Sequence, residues 1–205
     1  MPDLDAASPS SPTDLKFSWS NSPSFTFEVA RRSTGDVLFS TVGSKLVFED
    51  QFIEFKTTLP QDWNLQGLGE TMHSLRLLNN HNITIYAADA ADPIDGNIYG
   101  AFPFYLDTRY YELDADRHLL HVPSGTKGNS STEYLSYAHG VYLRNTHGQE
   151  VLLRERDLTW RTIGGSLELY IFSGETPAQV TKQFVTAAAG LPALQPYWSL
   201  GYHHW

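Results

Sequence analysis

The sequence predicts a mainly β protein built as a sandwich of antiparallel sheets. Three observations lead there. Short runs that alternate apolar with polar residues recur at close spacing along most of the chain. Turn formers punctuate them, with 15 Gly and 11 Pro in 205 residues. Aromatic residues, which favour strands, reach 13%. Charged residues make up 18%, below the roughly 25% of an average soluble chain, so a chain held unfolded by charge is excluded.

The elements follow in order. Residues 1–14 are rich in Ser and Pro and read as a flexible lead-in. Phe25-Thr26-Phe27-Glu28-Val29 alternates, Arg32 to Asp36 supplies a turn, and Val37-Leu38-Phe39 completes a hairpin. Leu46-Val47-Phe48 and Phe52-Ile53-Glu54-Phe55 make the next pair, split by Glu49-Asp50-Gln51. Further strands are expected at Ile83–Tyr86, Phe102–Leu106, Gly140–Leu143, Leu152-Leu153, Leu158–Thr162 and Leu167–Phe172. Residues 112–138 are the least regular stretch and read as a solvated excursion from a hairpin. One helix is predicted: Thr176 caps it, Pro177 takes the first position, Val180, Phe184 and Ala188 form its apolar stripe, and Gly190 and Pro192 end it. The last run, Leu200 to Trp205, has the pattern of a strand beginning.

Composition removes several function classes. The net charge of −9 argues against a broad nucleic-acid-binding face. The absence of Cys excludes disulfides, thiol nucleophiles and Cys-ligated zinc. No run approaches the ~20 apolar residues of a membrane-spanning helix. The eight His residues show no ligand spacing, so no metal site is expected. Neither a Gly-x-Ser-x-Gly elbow nor a recognisable carboxylate pair is present, so no catalytic residue is assigned in this chain.

The remaining motifs have two readings each. Gly67-Leu68-Gly69-Glu70 lacks the further Gly and the Lys of a phosphate loop. The favoured reading is a close crossing of backbones, which only glycine permits. The stretch Tyr86 to Gly100 carries Asp89, Asp92 and Asp95 among small residues and turn formers. Pattern alone makes these solvated turn residues, with a sugar-binding loop as the minority reading. Asn82-Ile83-Thr84 and Asn129-Ser130-Ser131 are glycosylation tripeptides. Such tripeptides also arise by chance. With the acidic balance they point to a secreted protein.

Several runs together resemble the N-terminal β-sandwich of glycoside hydrolase family 31, the α-glucosidase family, in its fungal secreted form. They are Leu65 to Ser74, Asn97 to Tyr105, His139 to Asn145, Trp160 to Gly165, and Gly190 to His203, in the family's order and at its spacing. The resemblance implies a galactose-mutarotase-like sandwich over residues 15–192, then a linker and the first strand of a catalytic (β/α)8 barrel over 193–205. It implies retaining hydrolysis of terminal α-linked glucose in oligosaccharides, without cofactor or metal, by two Asp residues of the barrel that lie beyond this chain. The barrel, in the same or a nicked polypeptide, and an α-gluco-oligosaccharide are the implied partners. One site position carries over by the resemblance: Asp89, from the loop that reaches over the barrel mouth to the sugar. Val141, Trp160, Trp198 and the last strand would then present apolar surface to the barrel. Two rivals remain: a free-standing carbohydrate-binding module, and a mutarotase-like enzyme needing an acid and a base in the sandwich groove.

Overall fold

The computed structural model describes residues 14–91, 93–123, 125–126, 134–190 and 192–202. Among the described residues, thirteen strands form three antiparallel sheets. The first sheet has the order β1-β2-β3, with β1 Leu15–Ser20, β2 Thr26–Arg31 and β3 Val37–Ser40. The second has the order β4-β5-β12-β11-β7. Its strands are β4 Val47–Glu49, β5 Phe52–Thr58, β7 His81–Ile85, β11 Gln149–Leu153 and β12 Asp157–Thr162. The third has the order β13-β10-β8-β6, with β9 paired to β8. It contains β6 Leu65–Gly67, β8 Phe104–Leu113, β9 Leu119–Val122, β10 Leu135–Leu143 and β13 Leu169–Gly174.

Period-two alternation builds the core. In β5, Ile53, Phe55 and Thr57 face inward, and in β12 Leu158, Trp160 and Thr162 do the same. These meet Tyr105, Val141 and Leu143 of the third sheet in one apolar cluster, which Phe27, Val29 and Phe39 of the first sheet extend. Trp160 is its centre: its ring stacks on Phe55 and lies 6.3 Å from Tyr105. Both Trp160 and Val141 are fully buried within the sandwich. That corrects the expectation that they would face a neighbouring domain, because the opposed sheet already covers them.

The helix α1, Pro177–Ala188, forms as the sequence predicts: the Thr176 side chain accepts from Gln179 N and Pro177 opens the first turn. It covers the outer face of β10 and β13 through Val180 and Phe184, the latter stacked on Phe104 at 4.0 Å. Gly140 permits this approach, since a Cβ there would lie 2.5 Å from the Phe104 ring.

Three strands lie outside the sequence expectation: β1, β6 and β9. The last occupies the stretch expected to be irregular, where β8 also continues to Leu113. β9 pairs with the extended end of β8 from Leu113↔Leu119 to Tyr110↔Val122. Leu200 belongs to a single 3-10 turn, Tyr197–Leu200, Gly201 and Tyr202 are not in a strand, and His203 to Trp205 lie outside the described residues.

A cluster of charged and polar side chains sits inside the sandwich where the first sheet meets the third. Asp107 and Arg109 of β8 are both buried and joined by an Nε–Oδ2 hydrogen bond of 3.0 Å. Arg109 Nη1 donates to Val37 O, Arg31 donates to Ser173 Oγ and Ala138 O, and the Tyr111 hydroxyl donates to Asp36. His139, opposite Asp107 in the β8–β10 register, is 1% exposed and bonds the Leu38 backbone. Burial pushes its pKa down to about 3; Asp107 pulls it up and Arg109 and Arg31 push it down. The unfolded chain protonates this ring near the ordinary 6.5 while the folded chain keeps it neutral, so the unfolded state binds the extra proton below pH 6.5. Stability from this group is complete above pH 6.5 and falls with pH toward 3, by up to about 1.4 kcal/mol per unit. Urea melts at pH 7 and pH 4.5 should therefore show a loss that His139→Gln reduces. An equal loss in that variant would assign the pH dependence elsewhere.

Candidate functional site

The loops after β6 and β7 form the surface on which the sequence places its site residue. β6 ends at Gly67, at φ 105°, paired beside Tyr105 of β8, and a Cβ on it would lie 2.5 Å from Phe104 O. Gly67 thus serves a close approach of two backbones, and Gly69 makes room for the Phe102 ring, 2.6 Å from where its Cβ would lie. Leu68, at φ 55°, turns the chain and is fully buried. The segment that follows is stitched to the loop after β7. Glu70 N donates to Gly100 O, Gly100 N donates to Glu70 Oε2 at 2.7 Å, and Ile98 N donates to Glu70 O. Bridges at Thr71↔Asn97 and Met72↔Ile94 continue the seam, and Ile98 anchors it from below.

Asp89 stands one residue beyond the Ala88 N to Ile98 O bond. Its side chain is exposed and makes no hydrogen bond among the described residues. Asp95 is exposed at φ 56°, with its amide on Met72 O. Asp92 lies outside the described residues. Around the seam Met72, Leu75, Ile94, Tyr99 and Phe102 present apolar surface. The arrangement offers two exposed carboxylates, Asp89 and Asp95, without a side-chain partner among the described residues, on a braced loop rim flanked by apolar groups. A carboxylate there can accept hydroxyl hydrogen bonds.

Sequence reasoning missed Glu70 as the latch of this seam. Its partner Gly100 is 30 residues away, and no local pattern signals the contact. The other site residues separate. Asn82 is exposed on β7, and Asn129 lies outside the described residues. Asp114, Asp116 and His118 approach one another, but Asp114 Oδ1 already accepts from the amides of Asp116 and His118, which makes the group a turn cap. His139 and Asp107, 3.9 Å apart, resemble an acid–base pair, but each is 1% exposed, so no sugar reaches them. This pair therefore lends no support to a mutarotase-like reading.

No protein-family profile matches the chain. Among curated proteins, an α-glucosidase of Aspergillus oryzae is 57% identical over 191 residues, covering 93% of this chain and 19% of that protein. An α-glucosidase of Aspergillus niger is 52% identical over 193 residues, covering 94% and 20% respectively. The chain therefore spans about a fifth of the length of the curated relatives it matches. Among solved structures, a family GH31 dextranase of Flavobacterium johnsoniae, complexed with glucose, superposes with a TM-score of 0.66 at 18% identity, over 93% of this chain and 20% of that one. That likeness bears out the sandwich architecture.

Proposed function

We propose, from the premise that this chain is a portion of a glycoside hydrolase of family 31, that it is the non-catalytic N-terminal sandwich of an α-glucosidase. The observation that carries the reading is the 57% and 52% identity to two proteins named α-glucosidase, over nearly the whole of this chain. In this reading a (β/α)8 barrel elsewhere in the polypeptide holds the carboxylates and hydrolyses terminal α-linked glucose with retention. The boundary falls near residue 193. Beyond it Leu194, Tyr197, Trp198, Leu200 and Tyr202 are all highly exposed, a run of apolar groups suited to burial against further polypeptide. The protein acts outside the cell, with Asn82 and Asn129 as carbohydrate attachment points.

The sandwich contributes one wall of the substrate pocket through the Asp89 loop. The braced seam supports this: a substrate-facing carboxylate needs a fixed loop, and Asp89 is spared any local capping bond. Removing a charge-assisted contact costs roughly 1.5–3 kcal/mol, so Asp89→Ala in the full-length enzyme should lower kcat/KM for maltose by about tenfold to a hundredfold. Melting temperature should not change, since Asp89 holds nothing in place. Asp95→Ala should matter less. A kcat/KM for Asp89→Ala within about twofold of the parent would make Asp89 a turn residue only.

A further inference from the structure

The outer face of the β4-β5-β12-β11-β7 sheet carries two adjacent rows of side chains. Continuing the registers Ile53↔Thr162 and Gln149↔Ile85 by one residue aligns Phe52, Ile163, Gly148 and Tyr86. The Ile163 N to Gly148 O bond of 3.2 Å supports that alignment. The next row aligns Glu54, Arg161, Glu150 and Thr84. Arg161 bridges the two carboxylates, with Nε on Glu54 at 2.5 Å and Nη1 on Glu150 at 3.4 Å. Gly148 leaves a gap in the first row: a Cβ on it would sit 3.6 Å from Ile163 Cδ1 and 3.7 Å from Tyr86 Cδ2. The result is a groove of about 510 Å³. Tyr86 and Ile163 form its rims, each more than 60% exposed. A ring face beside charged hydrogen-bonding groups suits a pyranose, whose C–H face is apolar and whose edge is polar.

One residue on the same strand face says which sugar this is. Asn82, Thr84 and Tyr86 occupy alternate positions along β7 and its continuation, so they point to the same side of the sheet. Asn82 and Thr84 are the two ends of the glycosylation tripeptide, and both are exposed. Arg154 Nη2 donates to Asn82 Oδ1 at 2.9 Å. Guanidinium has no acceptor, so the atom facing it must be the amide oxygen. Asn82 Nδ2 is thereby turned away from Arg154, without a partner among the described residues. Tyr86, on the groove's rim, lies about 13 Å along the strand from Asn82, at ~3.3 Å per residue, within reach of the first few sugars of an attached chain. β7 is also the edge strand of its sheet, and a sugar chain there would shield an edge open to pairing with another molecule.

We infer that Asn82 carries an N-linked glycan whose inner sugars lie along β7 and seat in the Tyr86–Gly148–Ile163 groove. In the attachment, Asn82 Nδ2 displaces a lipid pyrophosphate from the anomeric carbon of a lipid-linked oligosaccharide. The N–C bond forms, the C–O bond to pyrophosphate breaks, and the Nδ2 proton leaves to base. The inference rests on the secretory setting proposed above and adds the seat to it.

The test uses the full-length protein produced through a secretory route. Glycopeptide mass spectrometry should find Asn82 modified. Nitration of Tyr86 by tetranitromethane, followed by peptide mapping, then reads the seat. A tethered sugar acts at an effective concentration of about millimolar, so Tyr86 should react at least about threefold more slowly than after the glycan is removed. Removal is done two ways, by Asn82→Gln and by endoglycosidase trimming of the unmutated protein, so that a folding defect of the variant cannot mimic the result. Unmodified Asn82 in secreted, active protein overturns the inference. So does a Tyr86 rate that is the same with and without the glycan, which would give the groove to another segment of the polypeptide. Maltose hydrolysis, measured on the same samples, tests the enzymatic reading separately.

Discussion

Trp160→Ala is expected to destabilise the full-length protein by about 3–5 kcal/mol, the cost of removing a large aromatic from a filled core. Trp160 is fully buried, stacked on Phe55 with ring centroids 6.0 Å apart, and in contact with Tyr105 of the facing sheet. Its Nε1 donates to Gln149 Oε1 at 2.8 Å, so truncation also strips a buried acceptor of a partner. For a unit of this size the loss corresponds to a fall in melting temperature of roughly 2–4 °C per kcal/mol. Trp160→Phe keeps most of the stacking surface and should lose markedly less. The measurement is thermal melting and soluble yield of both variants. A Trp160→Ala protein that melts within 2–3 °C of its parent would mean that the core collapses around the gap.

Asp107→Ala should cost a similar amount, for an electrostatic reason. Asp107 is the only carboxylate bonded to the Arg109 guanidinium among the described residues, and both groups are buried. Removing one member of such a pair strands the other charge, at about 3–5 kcal/mol. Asp107→Asn retains shape and an acceptor and should fall between parent and Ala variant. The discriminating experiment is the double variant Asp107→Leu with Arg109→Met, which takes both charges away. It should recover a good part of the loss. Its failure to do so would mean that the Arg109 contact with Val37 O, which joins the first and third sheets, matters more than the pair.

The same pair explains where the sequence stopped being legible. The strand at Phe102–Leu106 is readable because its residues are apolar. The chain continues in β conformation to Leu113, but Asp107 and Arg109 fall on the inward face and break the apolar pattern. Their pairing with each other is a tertiary fact that no local pattern encodes. β1 does alternate, as Leu15-Lys16-Phe17-Ser18-Trp19-Ser20, but it follows directly on a Ser/Pro-rich segment and buries little, with Phe17 and Trp19 exposed. β6 has three residues, too few for any period. The helix was legible to the residue because Thr176 and Pro177 mark its start by local chemistry. Of the candidate site, Asp89 came from the resemblance, whereas the seam that braces it depends on Glu70 meeting Gly100 across 30 residues.

The hydrogen bond from Arg31 to Ser173 joins residues 142 positions apart. On a ribosome adding about 5–20 residues per second, Arg31 emerges roughly 7–30 s before its acceptor exists. During that interval β2 presents a guanidinium toward an interior whose far wall has not been synthesised. Phe104 waits in the same way for Phe184. The first sheet can pair early, since β1 to β3 are joined by short hairpins, but it cannot dock. Vectorial synthesis therefore leaves a nascent intermediate with the outer face of its third sheet bare until the helix has left the exit tunnel, and this is the stage at which chaperone occupancy should be highest.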